Sequence, residues 1–135
     1  MITLRKSPEQ DVFDWFFKWS VNNGYDTYDY LPPESEHVAY PFVYVGNVQG
    51  VPGATKTELI GSVYLNIDIW GTRKQRLTVN QIVERFFHAA IGYIRTPNYF
   101  YYGQPNQQSK RLQLDTSVPN TILMRGLLEL KLDIL

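Results

Sequence analysis

Two acidic residues and one histidine-containing segment are the first candidates for chemistry in this chain. Asp26 and Asp29 lie among three tyrosines, and paired carboxylates can perform acid–base catalysis on sugars. A turn with aromatic neighbours accounts for this pair as well. Residues 34–37 (Glu-Ser-Glu-His) resemble a loose set of metal ligands, but one histidine with two carboxylates in a loop is more typical of a solvated surface. The sequence therefore predicts no catalytic residue, metal or cofactor here.

A basic run and an aromatic run raise an alternative, the binding of single-stranded nucleic acid. Residues 73–76 carry three positive charges, residues 99–102 read Tyr-Phe-Tyr-Tyr, and Lys110 and Arg111 add charge. Aromatic platforms beside basic grooves hold single strands. Against this function, the chain is neutral overall, and alternate residues of an aromatic strand point to opposite faces, so that half of the run is expected in the core.

The remaining motif searches favour a structural protein over an enzyme. The chain contains no phosphate loop, no dinucleotide fingerprint, no Gly-x-Ser-x-Gly and no His-Glu-x-x-His. It has no cysteine, which excludes disulfides and thiol catalysis. We expect one domain over residues 1–135 with no signal peptide and no membrane span, because no apolar stretch approaches about 20 residues.

Charge is distributed unevenly along the chain. Residues 1–70 carry four Lys/Arg and nine Asp/Glu, a net charge of −5, whereas residues 71–135 carry nine and four, a net charge of +5. Folding could mix the two halves and cancel the asymmetry. If it does not, an acidic side of one copy could dock on the basic side of the next, a head-to-tail contact that can close into a ring. Ten tyrosines also favour protein contacts.

The segment 55–91 shows the clearest structural pattern. Leu59 and the odd-numbered residues from Gly61 to Ile69 fall on one face, and the even-numbered residues from Ser62 to Trp70 fall on the other, which predicts a strand with one dry and one wetter face. From Val79 to Ile91, apolar residues including Phe86 and Phe87 recur at spacings of three and four, which predicts a helix lying on a core.

The other elements follow from similar signals. Ser7-Pro8-Glu9-Gln10 predicts a helix start with a capping box, and Gly24 predicts its end. Short strands are expected at 25–31, 40–45, 99–102 and 111–116 and a long one at 122–135, with loops at 46–58 and 103–110. The predicted fold is therefore α+β, a single antiparallel or mixed sheet of about four to six strands with two amphipathic helices on one face.

Several segments together resemble a known family. After the amphipathic N-terminal helix come Tyr-Asp-Tyr-Leu-Pro (28–32), Tyr-Pro-Phe-Val-Tyr-Val-Gly (40–46) and Ile-Asp-Ile-Trp-Gly (67–71), followed by a helix and a closing strand. This order resembles the small tail-completion proteins of long-tailed bacteriophages (siphoviruses), also called tail terminators or tail-to-head joining proteins. The similarity covers nearly the whole chain.

The resemblance implies a structural virion protein, assembled in the host cytoplasm and located at the head-proximal end of the tail. Such proteins form a ring, typically of six subunits, that ends growth of the tail tube and offers a docking face for the head. The implied partners are further copies of the chain, the major tail tube protein and a head-completion or connector protein, with genomic DNA passing through the lumen without sequence recognition. A neck or head-connector component of the phage, which would also assemble as a ring, remains an alternative.

Under this resemblance the loops at 46–58 and 103–110 are the expected contact elements, because loops on a rigid sheet commonly carry binding. The candidate interface residues within them are Gly46, Asn47, Gln49, Thr55, Lys56, Glu58, Gln104, Asn106, Gln107 and Lys110.

Overall fold

The fold is α+β, as predicted, in a computed structural model that describes residues 6–33, 35–53 and 61–135. The helices are α1 (Pro8–Asn22) and α2 (Arg76–Ala89), with single 3-10 turns at Arg73–Gln75 and Pro105–Gln107. The strands are β1 (Thr27–Tyr28), β2 (Phe42–Pro52), β3 (Gly61–Thr72), β4 (Gly92–Arg95), β5 (Phe100–Gly103), β6 (Ser109–Asp115) and β7 (Leu123–Ile134).

The described strands form one mixed sheet of seven, somewhat more than the four to six that the sequence predicts. The order across the sheet is β1-β2-β3-β7-β5-β4, and β6 pairs with the part of β7 that β5 leaves free. β4 is the strand that the sequence does not reveal, because it is only four residues long. β1 and β2 are parallel, and every other pair is antiparallel.

Both helices pack on one face of the sheet, as expected. α1 lies on β2 and β3, and α2 lies on β3, β7 and β6. The dry face predicted for the long strand, residues 63, 65, 67 and 69, is fully buried beneath them. Phe86 lies in this core, whereas Phe87 is only half-buried at its edge, so the predicted helix stripe is slightly too wide.

The N-terminal helix starts at the predicted cap but without the predicted box. The backbone N–H of Gln10 donates to Ser7 Oγ at 3.2 Å. The side chain of Gln10 donates to Asp14 at 2.7 Å instead of returning to the cap. Gly24 adopts a φ of 84° directly after the helix, a conformation that glycine reaches without strain.

The prediction of a loop at 46–58 is wrong for residues 46–52, because β2 continues to Pro52. Its residues pair with β3 through Pro52, with a bulge between Val45 and Val48. Backbone pairing with β3 therefore overrides the glycine and proline turn signals. Gly50 suits this strand because a Cβ there would lie 1.6 Å from the carboxylate of Glu9 on α1.

Candidate subunit-contact surfaces

The face of the sheet opposite the helices, called the open face below, brings the two predicted contact segments together. A cavity of about 300 Å³ on this face is lined by Gly46 and Asn47 from β2 and by Ser109 from β6. The bulge in β2 places two residues where the facing strand has one, which re-aims this part of the strand. The open face is therefore the surface on which residues 46–47 and the start of β6 can act together.

The candidate residues of the first segment divide into two groups. Gly46, Asn47 and Gln49 lie in β2, and Asn47 and Gln49 are exposed. Thr55, Lys56 and Glu58 lie outside the described residues. Most of the described part of this predicted loop therefore belongs to strand β2.

The second segment is a true connection, and it is anchored at one end. Asn106 and Gln107 are exposed on the 3-10 turn that Gln104 precedes. Gln108 holds the turn to β7, since its side chain accepts from the backbone N–H of Lys131 and donates to the carbonyl of the same residue, both at 2.8 Å.

Lys110 is part of β6 instead of the loop. Its ammonium group pairs with Glu84 on α2 and lies 4.3 Å from the ring centroid of Phe87. The side chain therefore joins the edge strand to the helix behind it.

Arg125 is the centre of a polar cluster on the open face that the sequence did not single out. Its guanidinium lies 2.8 Å from Asp68 and 3.5 Å from Asp115, and 4.8 Å from the ring of Trp70. Hydrogen bonds from the hydroxyl and the backbone N–H of Ser117 hold the pKa of Asp115 below its usual value. Burial acts to raise this pKa, whereas the positive charge of Arg125 lowers it further. The alternation of β3 and β7 placed Asp68 and Arg125 on polar faces, but only the strand pairing shows that these faces coincide.

An apolar cleft lies beside this cluster. Trp70, predicted on the wetter face, is only 7% exposed because the segments around Val38 and Val118 cover it together with Phe42 and Leu123. The cleft has a volume of about 430 Å³. The indole N–H of Trp70 is buried and has no hydrogen-bond partner among the described residues.

A buried carboxylate ties α1 to the β4–β5 hairpin on the helix side of the sheet. Asp11, 4% exposed, accepts hydrogen bonds from the hydroxyls of Tyr101 and Thr96 at 2.7 Å and from Asn98 Nδ2 at 3.1 Å. Burial, and then the hydrogen bond to Asp11, raise the pKa of the Tyr101 phenol far above its ordinary value.

The aromatic run divides between the two sides of the sheet, as its alternation predicts. Tyr101 is fully buried on the helix side. Phe100 and Tyr102 instead contact the exposed Tyr93, with ring centroids 5.4 and 4.8 Å away, and Arg95 lies over Phe100 at 4.3 Å. The remaining stacking surface is therefore a small patch at the end of the sheet.

The residues considered for catalysis or metal binding do not converge. Asp26, Asp29, Glu36 and His37 are all exposed, and Glu34 lies outside the described residues. Within the part of the chain that the structure describes, no group of acidic and histidine side chains could hold a metal ion. No helix among the described residues is both long and apolar enough for a membrane span.

The sheet order places strands from the acidic and basic halves of the chain at opposite edges, although the two halves meet in the centre of the sheet and at α1. β1 and β2 lie toward one edge of the sheet and β6, β5 and β4 toward the other, whereas α1 packs on β2 and β3 and reaches the β4–β5 hairpin through Asp11. Among the ion pairs of the described residues, only Arg125–Asp68 joins residues 1–70 to residues 71–135. Charges of the two halves are therefore seldom paired with each other in the part of the chain that the structure describes.

Comparisons with protein-family models, with curated proteins and with solved structures find no match to this chain.

Proposed function

We propose that this protein is a structural component of a phage tail, a tail-completion protein that forms a ring on the head-proximal end of the tail tube. In this role the ring ends tube growth and presents a docking face for the head. The observation that carries the proposal is that two edge strands of the sheet carry opposite charges, Asp26 and Asp29 beside β1 and Lys110 and Arg111 in β6. The resemblance of the sequence to phage tail terminators also supports this proposal.

Opposite charge on opposite sides favours head-to-tail association of identical copies. A contact between two different surfaces of the same chain repeats from copy to copy and closes into a ring when the rotation suits. Asp26 and Asp29 beside β1 and Arg111 in β6 are exposed, with no ion-pair partner among the described residues. Such charges steer association and fix its orientation.

The proposal is tested by adding the purified chain to tail tubes of the phage that carries this sequence and viewing the tubes by electron microscopy. A cap on one end of each tube, together with a closed oligomer in native mass spectrometry, is the expected result. Binding to the head portal in place of the tube would identify the alternative, a connector component. A chain that ignores both assemblies, or that binds oligonucleotides with strong salt dependence, would refute the tail role.

A pair of exposed asparagines tests the predicted contact turn within the same assay. Asn106→Glu places a charge on the 3-10 turn at residues 105–107 and is expected to weaken capping. Asn22→Glu makes the same change at an exposed position on α1 and is the matched control. Equal capping by both variants would remove the turn from the contact surface.

A further inference from the structure

Of the edge strands β1, β4 and β6, the strands β1 and β6 lie at the same level on opposite sides of the sheet. The pairing registers link Tyr28 to Tyr44, Tyr44 to Asp68, Asp68 to Leu127 and Leu127 to Arg111. This continuous row crosses five strands from β1 to β6. At about 4.8 Å between neighbouring strands, the two edges are about 19 Å apart.

Neither edge has a further strand beside it among the described residues. β6 contributes seven residues, and its outer side presents backbone N–H and C=O groups without a ladder partner. β1 is short, with the exposed residues Asp26 and Asp29 on either side. Unpaired edges of this kind are templates for a strand from another chain.

The strand directions make the two edges compatible. β1 runs parallel to β2, and each of the next three pairs on the way to β6 is antiparallel. β1 and β6 therefore run in opposite directions. A second copy displaced along the row, and rotated about it to continue the twist of the sheet, brings its β1 beside β6 of the first copy as an antiparallel pair, the arrangement in which ladder hydrogen bonds are perpendicular to the strands.

The charges at the two edges are complementary. Asp26 and Asp29 flank β1, whereas Lys110 and Arg111 are neighbours in β6. Among the described residues Arg111 has no ion-pair partner, and the ion-pair partner of Lys110 is Glu84. Bringing β1 beside β6 places two carboxylates near two cations, while pairing β6 with another β6 would bring like charges together, which is unfavourable.

We infer that a second copy of this chain docks its β1 edge on the β6 edge of the first, so that the sheet continues from copy to copy. This inference rests on the proposed function, since it assigns the contact by which the ring forms. Backbone pairing between strands supplies the contact, and the carboxylates and cations beside it set its direction.

Charge reversal at each edge tests this contact. The variant Asp26→Lys/Asp29→Lys makes both edges basic, and Lys110→Glu/Arg111→Glu makes both acidic. Each alone is expected to lower the self-association constant by about tenfold or more, measured by sedimentation at low ionic strength, because like charges then face each other. Mixing the two is expected to restore assembly as alternating copies, with equal numbers of each and therefore an even total in any closed ring.

The control variant is Arg73→Glu/Lys74→Glu, which makes the same change in charge at exposed positions before α2, away from both edge strands. It is expected to associate like the wild type. If it weakens association as strongly as the reversal on β6, net charge and not the edge contact is responsible, and the inference fails. Thermal unfolding of every variant checks that the fold is retained.

Engineered cysteines give a second test that does not depend on charge. The natural chain has none, and cysteines introduced as Asp29→Cys and Lys110→Cys would be too far apart within one copy for a disulfide, which needs Cα atoms within about 7 Å. Oxidation is expected to give a ladder of linked copies on a non-reducing gel. The pair Asp29→Cys/Arg95→Cys, with the second cysteine on β4, is the control and is expected to give no such ladder.

The possible failures are distinguishable. A wild-type chain that stays monomeric at about millimolar concentration and low ionic strength, or an oligomer that neither charge reversal nor cysteine pairing touches, overturns the β1–β6 contact. If the chain nevertheless caps tail tubes in either case, the proposed function is retained and the copies associate through another interface. Assembly through β1 and β6 without capping of tubes would retain the contact and refute the proposed function.

Discussion

The hydrogen bond between Tyr101 and Asp11 allows a quantitative test of how α1 is fixed to the sheet. The Tyr101 hydroxyl donates to Asp11 Oδ2 at 2.7 Å, and both side chains are buried. Tyr101→Phe removes this donor and leaves the ring in place. A hydrogen bond to a charged group contributes about 1.5–3 kcal/mol, so we expect the free energy of unfolding to fall by about 2 kcal/mol.

Urea denaturation followed by tryptophan fluorescence measures this loss, and thermal unfolding offers a second reading. The unfolding entropy of a chain of this length is about 0.28 kcal/mol/K, so a loss of 2 kcal/mol lowers the midpoint by about 7 °C. In a double-mutant cycle with Asp11→Asn, the two changes should be coupled by about 1–2 kcal/mol. Tyr93→Phe, at a tyrosine that is 70% exposed, is the matched control and should change little.

The same pair predicts a pH dependence in the alkaline range. Burial and the hydrogen bond to Asp11 raise the pKa of Tyr101 above its ordinary value of 10.0. Above about pH 10 the unfolded chain loses this proton while the folded chain keeps it, so stability falls with rising pH by about 1.4 kcal/mol per pH unit. Below that pH this group contributes no slope. Tyr101→Phe should remove this part of the alkaline loss, and a coupling energy below about 0.5 kcal/mol or an unchanged alkaline slope would refute the reasoning.

Three further predictions concern the core and the open face. Phe86→Ala is expected to cost about 3–5 kcal/mol, and Phe87→Ala clearly less because that ring is only half-buried; equal losses in chemical denaturation would contradict the helix orientation. Gly103→Ala places a Cβ 1.7 Å from the Ala90 carbonyl oxygen and should prevent native folding. The expected sign is loss of the cooperative unfolding transition, and a normal transition would rule out this close approach. The pKa of Asp115 is lowered in the fold, so its contribution to stability is present above its ordinary pKa of 3.8 and is lost as the pH falls through the folded value; Asp115→Asn should flatten the acid limb of the stability curve, and an unaltered limb would exclude this contribution.

Patterns within single elements were predictable from the sequence. The unbroken alternation of residues 61–69 and the stripe that includes Val79 and Phe86 correspond to β3 and α2, because each pattern reflects which face of one element is buried. The fold class and the common face of the two helices followed from these periods. The half-buried Phe87 and the missed strand β4 mark the limit of this reasoning, since neighbouring elements decide how far burial extends.

The candidate surfaces depended more on pairing between distant segments. Turn-forming residues at 46–53 predicted a loop, yet pairing with β3 makes most of them a strand. The cluster around Arg125 draws on residues 68, 115 and 117, whose proximity no local pattern encodes.

What the sequence determined by itself is local: the periods of burial, the cap of α1 and the opposite charges of the two halves of the chain. Only the tertiary structure decided that strands from these halves form opposite edges of one sheet and that β1 and β6 share a level. The reason is physical. Side-chain periodicity is set by the geometry of a single element, whereas strand order and register are set by contacts between residues far apart in the chain, such as those between β3 and β7.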